Sequence, residues 1–373
     1  MNIGILCYPT YGGSGLIATE LGKSLADIGH QIHFISYNQP VRLDTFKENL
    51  FFHEVSFNNY PLFKYAPYES ALTSKIVEVV KVYQIDVLHV HYAIPHAAAA
   101  VMAKKILEKK NIQVKVVTTL HGTDITLVGK DKSFEPVVSY SLFESDVVTA
   151  VSNSLKIDTY KNFTYDGDIK VVPNFIDSQR FNRKPNEHFR KTIAPNNEKV
   201  IVHTSNFRKV KRVPDVLQIF RKIAKHLPAK LLFVGDGPER NSIEEACLAC
   251  EVCKDVTFLG KQDAVEEILS IADLFILPSQ TESFGLAALE AMACEVPVIS
   301  TNSGGLPELN ITGVTGFTSN IGDIDKMAND ALHILQDEHL NQFKSLAKIQ
   351  SLKYKLDTIL PIYVRLYDSV IER

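Results

Sequence analysis

The stretch LFILPSQTESFGLAALEAMACEVPVIS, residues 274–300, contains one whole repeat of the architecture. Residues 274–277 are an apolar run of strand length, 286–292 an Ala- and Leu-rich helical pattern entered through a glycine, and 298–300 a second apolar run. Short apolar runs of this kind, alternating with helical patterns, read as strands of a parallel sheet covered by helices.

The same alternation continues outward on both sides. In the first half, strand-like runs at 3–7, 30–36, 87–90, 114–120 and 147–151 alternate with helical patterns at 17–28, 70–83, 96–109 and 134–144. Ser152 then stands as an N-cap for a further helix. In the second half, strands at 200–204, 231–234, 256–259, 274–277 and 298–300 alternate with helices at 213–226, 240–253, 264–272 and 286–292. Pro214 fits the first turn of its helix. The pattern predicts an α/β protein of two Rossmann-like, doubly wound domains, 1–170 and 171–356. The join is expected in the polar stretch 170–199, which holds Pro173, Pro185 and Pro195. Ligands of open α/β sheets bind beyond the carboxyl ends of the strands, so two facing sheets predict a cleft lined by strand-to-helix loops.

The chain has 373 residues, 45% hydrophobic and 22% charged, an ordinary globular composition. Its formal net charge of −3 offers no global field for nucleic acid. The first apolar run is too short for a signal-peptide core, and no stretch reaches the ~18 apolar residues of a membrane span. A soluble, cytosolic protein without stable membrane contact is expected. Cys247, Cys250 and Cys253 recur at i, i+3 and i+6, along one face of the helix expected at 240–253. No His or fourth Cys accompanies them at zinc-ligand spacing, so they read as a plain helix face in a reducing compartment. His89, His91, His96 and His121 likewise lack an accompanying carboxylate or cysteine, and no metal site is expected from them.

Three loops carry the chemistry. Gly12-Gly13-Ser14-Gly15 follows the first strand, where glycines let backbone N–H groups approach an anion and the next helix offers its positive end. The spacing is not the dinucleotide G-x-G-x-x-G, which argues against an NAD enzyme. Arg208, Lys209, Lys211 and Arg212 place four basic residues in five positions just beyond the strand at 200–204. Such a cluster suits a diphosphate leaving group, whose charge grows as its bond breaks. Glu282 falls in the loop after 274–277 and Glu290 a little over two turns along the next helix. Phe284, Gly285 and Leu286 lie between them and supply N–H groups at the helix start.

Taken in order, Gly12-Gly13-Ser14-Gly15, residues 206–211, Gly235-Asp236-Gly237-Pro238-Glu239, Glu282-x7-Glu290 and Gly304-Gly305-x-Pro307-Glu308 resemble the retaining GT-B glycosyltransferases of family 4 over nearly the whole chain. The resemblance implies a metal-independent enzyme with a nucleotide sugar in the cleft and a last helix, 357–373, packed back on the first domain. It implies donor contacts from Gly13, Ser14, Gly15, Asn206, Arg208, Lys211, Gly235, Glu282, Phe284, Gly285, Leu286 and Glu290. Within that set Glu290 would bind the ribose hydroxyls, Glu282 the sugar hydroxyls and Lys211 the diphosphate. The family usually has arginine where this chain has Asn206, and Arg208 is expected to supply that charge. A narrower likeness, in CYPTYGGSG, HVHYAIPHA, TTLHGTDITLVG and SNFRKVKRV, points to a branch that opens bacillithiol biosynthesis. That branch implies UDP-N-acetylglucosamine as donor and L-malate as acceptor, with room for a homodimer.

A dicarboxylate acceptor calls for cations and hydroxyls on the first domain. Ser14, Lys64, Tyr92, Thr119, His121 and Asn153 are the candidates, with Thr123 nearby. His121, Lys211 and Glu282 are expected to be catalytic. With no convincing carboxylate nucleophile, a front-face reaction is expected, the leaving β-phosphate taking the acceptor's proton. Two other readings remain open at this stage. A lipid or polysaccharide acceptor would use the segment 60–68 as an amphipathic surface. A two-domain solute-binding protein would share the architecture without the chemistry.

Overall fold

The structure, a computed structural model, describes residues 1–10, 12–43, 46–56, 66–127 and 131–372. The chain forms two compact units, Met1–Asn174 together with the last helix from Asp357, and Phe175–Leu356. The first contains β1 (Asn2–Leu6), α1 (Gly13–Asp27), β2 (Gln31–Ser36), β3 (Leu50–Glu54), α2 (Tyr68–Tyr83), β4 (Val87–His91), α3 (Ala98–Glu108), β5 (Lys115–Leu120), α4 (Glu135–Glu144), β6 (Val147–Ala150), α5 (Asn153–Asn162) and β7 (Ile169–Val171). Its seven strands are parallel, in the order β3-β2-β1-β4-β5-β6-β7.

The second unit contains α6 (Glu187–Ile193), β8 (Lys199–Ser205), α7 (Val213–Ile223), β9 (Ala229–Gly235), α8 (Arg240–Leu248), β10 (Val256–Gly260), α9 (Val265–Ser270), β11 (Leu274–Leu277), α10 (Leu286–Ala293), β12 (Val298–Thr301), α11 (Leu306–Leu309), β13 (Gly316–Ser319), α12 (Ile324–Leu335) and α13 (Asp337–Ser351). Six parallel strands run in the order β10-β9-β8-β11-β12-β13. The final helix, α14 (Leu356–Ile371), packs into the first unit, where the Tyr367 hydroxyl lies 2.7 Å from His89 Nδ1.

The apolar runs become strands because both faces are covered: every residue of β4, β11 and β12 is buried. In the second unit, Val213, Val216, Leu217 and Phe220 form one stripe of α7, and they pack with Phe233, Leu274 and Ile276 of the sheet. Truncating a fully buried side chain such as Phe220 to alanine is a change of about 3–5 kcal/mol.

Strand order decides where a ligand belongs. In the first sheet the chain winds outward from β1 through β2 to β3, then starts again on the other side of β1 with β4. In the second it does the same around β8 and β11. These are topological switch points, and the loops after β1 and β4, and after β8 and β11, diverge around a crevice.

Several expectations are corrected. Helix α1 begins at Gly13, not at residue 17, so Gly13, Ser14 and Gly15 form its first turn. The stretch 170–199 is not a bare linker, since β7 and α6 lie in it. Strands β3, β7 and β13 are short or weakly patterned and escaped the sequence reading. Helix α8 stops at Leu248, so Cys247, Cys250 and Cys253 do not share a helical face. Lys64, and most of the segment 60–68, lies outside the described residues.

Candidate active-site loops

In the second unit, four strand-end loops are laced together by backbone and charge. After β8 the chain enters a tight turn, Lys209–Lys211, where Lys211 Nζ meets Glu282 Oε2 at 2.6 Å. Both side chains are largely buried, at 19% and 11% exposure, so the pair is desolvated and its partners are held in place. Gln280 N donates to Val210 O at 2.7 Å, and Ser303 Oγ donates to Gln280 O at 2.7 Å. The loop after β12 closes on the same residue as the lysine, with Gly305 N donating to Glu282 O at 2.9 Å.

Glycine is required in two of these loops for close approach. A Cβ on Gly304 would stand 1.9 Å from the Glu282 carbonyl oxygen. One on Gly235, where φ is +120°, would stand 1.9 Å from the Ser205 carbonyl oxygen. Gly235 therefore has a backbone role that any ligand contact would come on top of. Gly285 caps α10 at φ +96°, a left-handed conformation that favours glycine. Phe284 is buried against Tyr354, ring centroids 5.5 Å apart, while Glu290 lies half-buried just over one turn into the helix rather than two, because α10 begins only at Leu286. The arrangement offers a helix N-terminus, a lysine and two glutamates to a group carrying phosphate and hydroxyls.

The basic cluster does not act as one. Arg212 turns onto Asp215, Nε to Oδ2 at 2.6 Å, as part of the α7 start. Asn206 and Arg208 are exposed just beyond the carboxyl end of β8. Lys211 alone of the cluster is paired with Glu282.

The first unit builds its loops differently. Ser14 Oγ donates to the Tyr92 hydroxyl at 2.9 Å, joining the β1 and β4 loops across the switch point. Tyr92 has φ +87°, a conformation costly for a bulky residue and concentrated at functional positions. Its ring lies 5.2 Å from Tyr8 and 5.4 Å from His121. His121 Nε2 is 2.8 Å from His91 Nδ1, and His96 Nδ1 is 2.6 Å from His91 O. Burial pushes the His96 imidazole down to about 4 and holds His91 well below its usual value, so these rings are neutral. Asn153 is exposed at the first position of α5, after β6. Ser152 caps that helix, accepting from Leu155 N at 3.1 Å.

Gly15 is buried and has a steric reason of its own, because a Cβ there would stand 2.5 Å from Tyr8 O. Gly13 is exposed at the helix start. Thr119 is a correction. It is fully enclosed, and its hydroxyl is shared with His89 Nε2 at 2.7 Å and Thr149 Oγ1 at 2.7 Å. It braces the strand layer and offers no free group at the loop.

Asp124 is the residue whose role the sequence did not disclose. Its carboxylate accepts from Ala93 N and Gly122 N, each at 2.9 Å, and so ties the β4 loop to the β5 loop. Burial raises its pKa to about 6, against the pull of those N–H groups. Local turn chemistry gave no signal for it, because an Asx turn joins an Asp to the backbone two residues further on, whereas Asp124 reaches back to Gly122 and across to Ala93. Among the described residues, no group of three or more His, Cys, Asp or Glu is placed to hold a metal ion, and no helix is long and apolar enough to cross a membrane.

Comparison with known proteins bears on both units. Residues 11–180 match the model of Glycosyltransferase Family 4, and 185–350 that of Glycosyl transferases group 1. The chain is 45% identical to the N-acetyl-alpha-D-glucosaminyl L-malate synthase of Bacillus anthracis, over 100% of this chain and 97% of that one. It is 24% identical to the phosphatidylinositol N-acetylglucosaminyltransferase GPI3 subunit of Saccharomyces cerevisiae, over 91% of this chain and 77% of that one. Among solved structures, Anabaena HepE in complex with UDP and glucose superposes with a TM-score of 0.84 at 20% identity, covering 99% of this chain and 100% of that one. The two Rossmann-like sheets, the laced charged loops of the second and the relatives at full length agree: the chain belongs to the family 4 glycosyltransferases of GT-B fold.

Proposed function

We propose that this enzyme transfers N-acetylglucosamine from UDP-N-acetylglucosamine to the hydroxyl of L-malate, with retention at the anomeric carbon and without a metal. The observation that carries the reading is the 45% identity, along the full chain, to the N-acetyl-alpha-D-glucosaminyl L-malate synthase of Bacillus anthracis. The second unit is the donor side. Lys211 leaves Glu282 for the diphosphate, Glu282 is then free to accept from sugar hydroxyls, and Glu290 takes the ribose. Phe284, Gly285 and Leu286 meet the sugar and diphosphate through backbone groups, and Arg208 adds charge where Asn206 supplies none. The first unit presents the acceptor through Ser14, Tyr92, His121 and Asn153, with Lys64 as its cation. Catalysis consists of positioning and of stabilising the departing diphosphate, whose oxygen takes the malate proton.

The decisive assay measures UDP release from UDP-N-acetylglucosamine against a panel of hydroxy acids, in EDTA, with the anomeric coupling of the product read by NMR. Selective turnover of L-malate to an α-glycoside supports the proposal. Release that requires a divalent metal, or a lipid acceptor preferred in vesicles, overturns it.

A further inference from the structure

We propose that Cys247 and Cys253 are a dithiol site that a low-molecular-weight disulfide converts to an intramolecular disulfide. Their sulfurs lie 3.2 Å apart in the reduced chain. Residues i and i+6 of a continuous helix would not meet in this way. They meet because α8 ends at Leu248 and the chain folds back through two tight turns, with Cys250 N donating to Cys247 O at 2.8 Å and Cys253 N to Cys250 O at 3.3 Å. A disulfide needs about 2.0 Å between sulfurs, and this pair of thiols already stands in van der Waals contact.

The third cysteine of the group is excluded by direction. Cys250 Sγ donates to Ala246 O at 2.9 Å, one turn back along α8. Exposure sets the order of events. Cys253 is half-buried at the margin of the second unit's core, whereas Cys247 is 1% exposed within it. Burial and the neighbouring sulfurs hold the Cys247 thiol up at about 12, so it does not meet the oxidant first.

The chemistry balances without a metal or oxygen. Cys253 loses its proton to solvent, and its thiolate attacks one sulfur of R–S–S–R, forming Cys253–S–S–R and releasing one thiolate. Cys247 then loses its proton, and its sulfur displaces the second thiolate from Cys253. Two protein thiols and one small disulfide become one protein disulfide and two small thiols. The bridged turn lies at the end of a helix whose start is fastened to the donor side, since Glu239 N donates to Phe207 O at 3.0 Å.

Reduced full-length enzyme, freed of reductant and incubated with glutathione disulfide, tests the site. Free thiols counted in denaturant should fall from five to three, with no glutathione mass retained. Peptide mapping should join the Cys247 and Cys253 peptides, and dithiothreitol should restore the original count. Cys250→Ser should still form the bridge and Cys253→Ser should not. Retention of all five thiols, a lasting glutathione adduct, or a bridge through Cys250 would each overturn the proposal.

Discussion

After β8 and β11, the second unit holds a lysine against a glutamate at 2.6 Å, with two glycines letting neighbouring backbones close in. After β4 and β5, the first unit holds neutral histidines, a strained tyrosine and an aspartate enclosed by backbone N–H groups. The sheets share a winding scheme, yet one set of loops keeps formal charge in reserve and the other suppresses it. On the proposed function, the Lys211–Glu282 pair is a place-holder for a ligand with charge of its own, and each partner gains a new contact when the pair opens. Neutral imidazoles and hydroxyls suit orientation of a substrate by directional hydrogen bonds.

Removing the reserved charge is the sharpest break of this contrast. Lys211→Ala should lower kcat by ~10²–10³, the range seen when one donor to a developing anion is lost. Steady-state UDP release checks this, and normal turnover would show that the pair is structural. Next in size, Gly304→Ala forces the β12 loop away from the Glu282 carbonyl. A misplacement near 1 Å of a catalytic group costs ~10²-fold, so activity should fall by about that factor while circular dichroism stays native.

Acid should separate the two units. His33, His89, His91, His96 and His121 of the first unit all have folded pKa values lowered below 6.5 by burial, to about 4 for His33 and His96 and about 3 for His89 and His121. The unfolded chain therefore takes protons first as pH falls. Stability is full above 6.5 and is lost as pH drops from there toward 4, by up to about 1.4 kcal/mol per pH unit for each ring. Asp124, raised to about 6, acts in the opposite sense, because the folded state takes its proton first. In the second unit His203 is similarly lowered, to about 4. Hydrogen exchange at pH 5 should show the first sheet opening before the second, and simultaneous opening would remove the distinction. Smallest of all, Arg208→Ala should raise KM for the donor about threefold and leave kcat nearly unchanged, as expected for one exposed charge on a phosphate. An unchanged KM would show that Arg208 does not stand in for the arginine missing at Asn206.

Much of this was legible in advance. The strands at 87–90, 274–277 and 298–300 were visible because burial on both faces demands unbroken apolar runs. The start of α10 was visible because a glycine at its N-cap and an Ala-rich turn agree locally. Strands β3 and β7 were hidden because edge positions accept mixed residues, such as His53 and Lys170. The helical end at Leu248 was missed because residues 249–253 carry no Gly or Pro to mark it.

From its residues alone, then, the chain determined two parallel sheets and the loops that hold its chemistry, because hydrophobic period and turn residues act over a few neighbours. Only the tertiary structure decided which side chains are spent and which are available. Lys211 on Glu282, Thr119 enclosed by His89 and Thr149, Asp124 binding two loops and Cys247 facing Cys253 all join residues by through-space contact. Such contacts depend on strand order and on where helices stop, which local patterning leaves open.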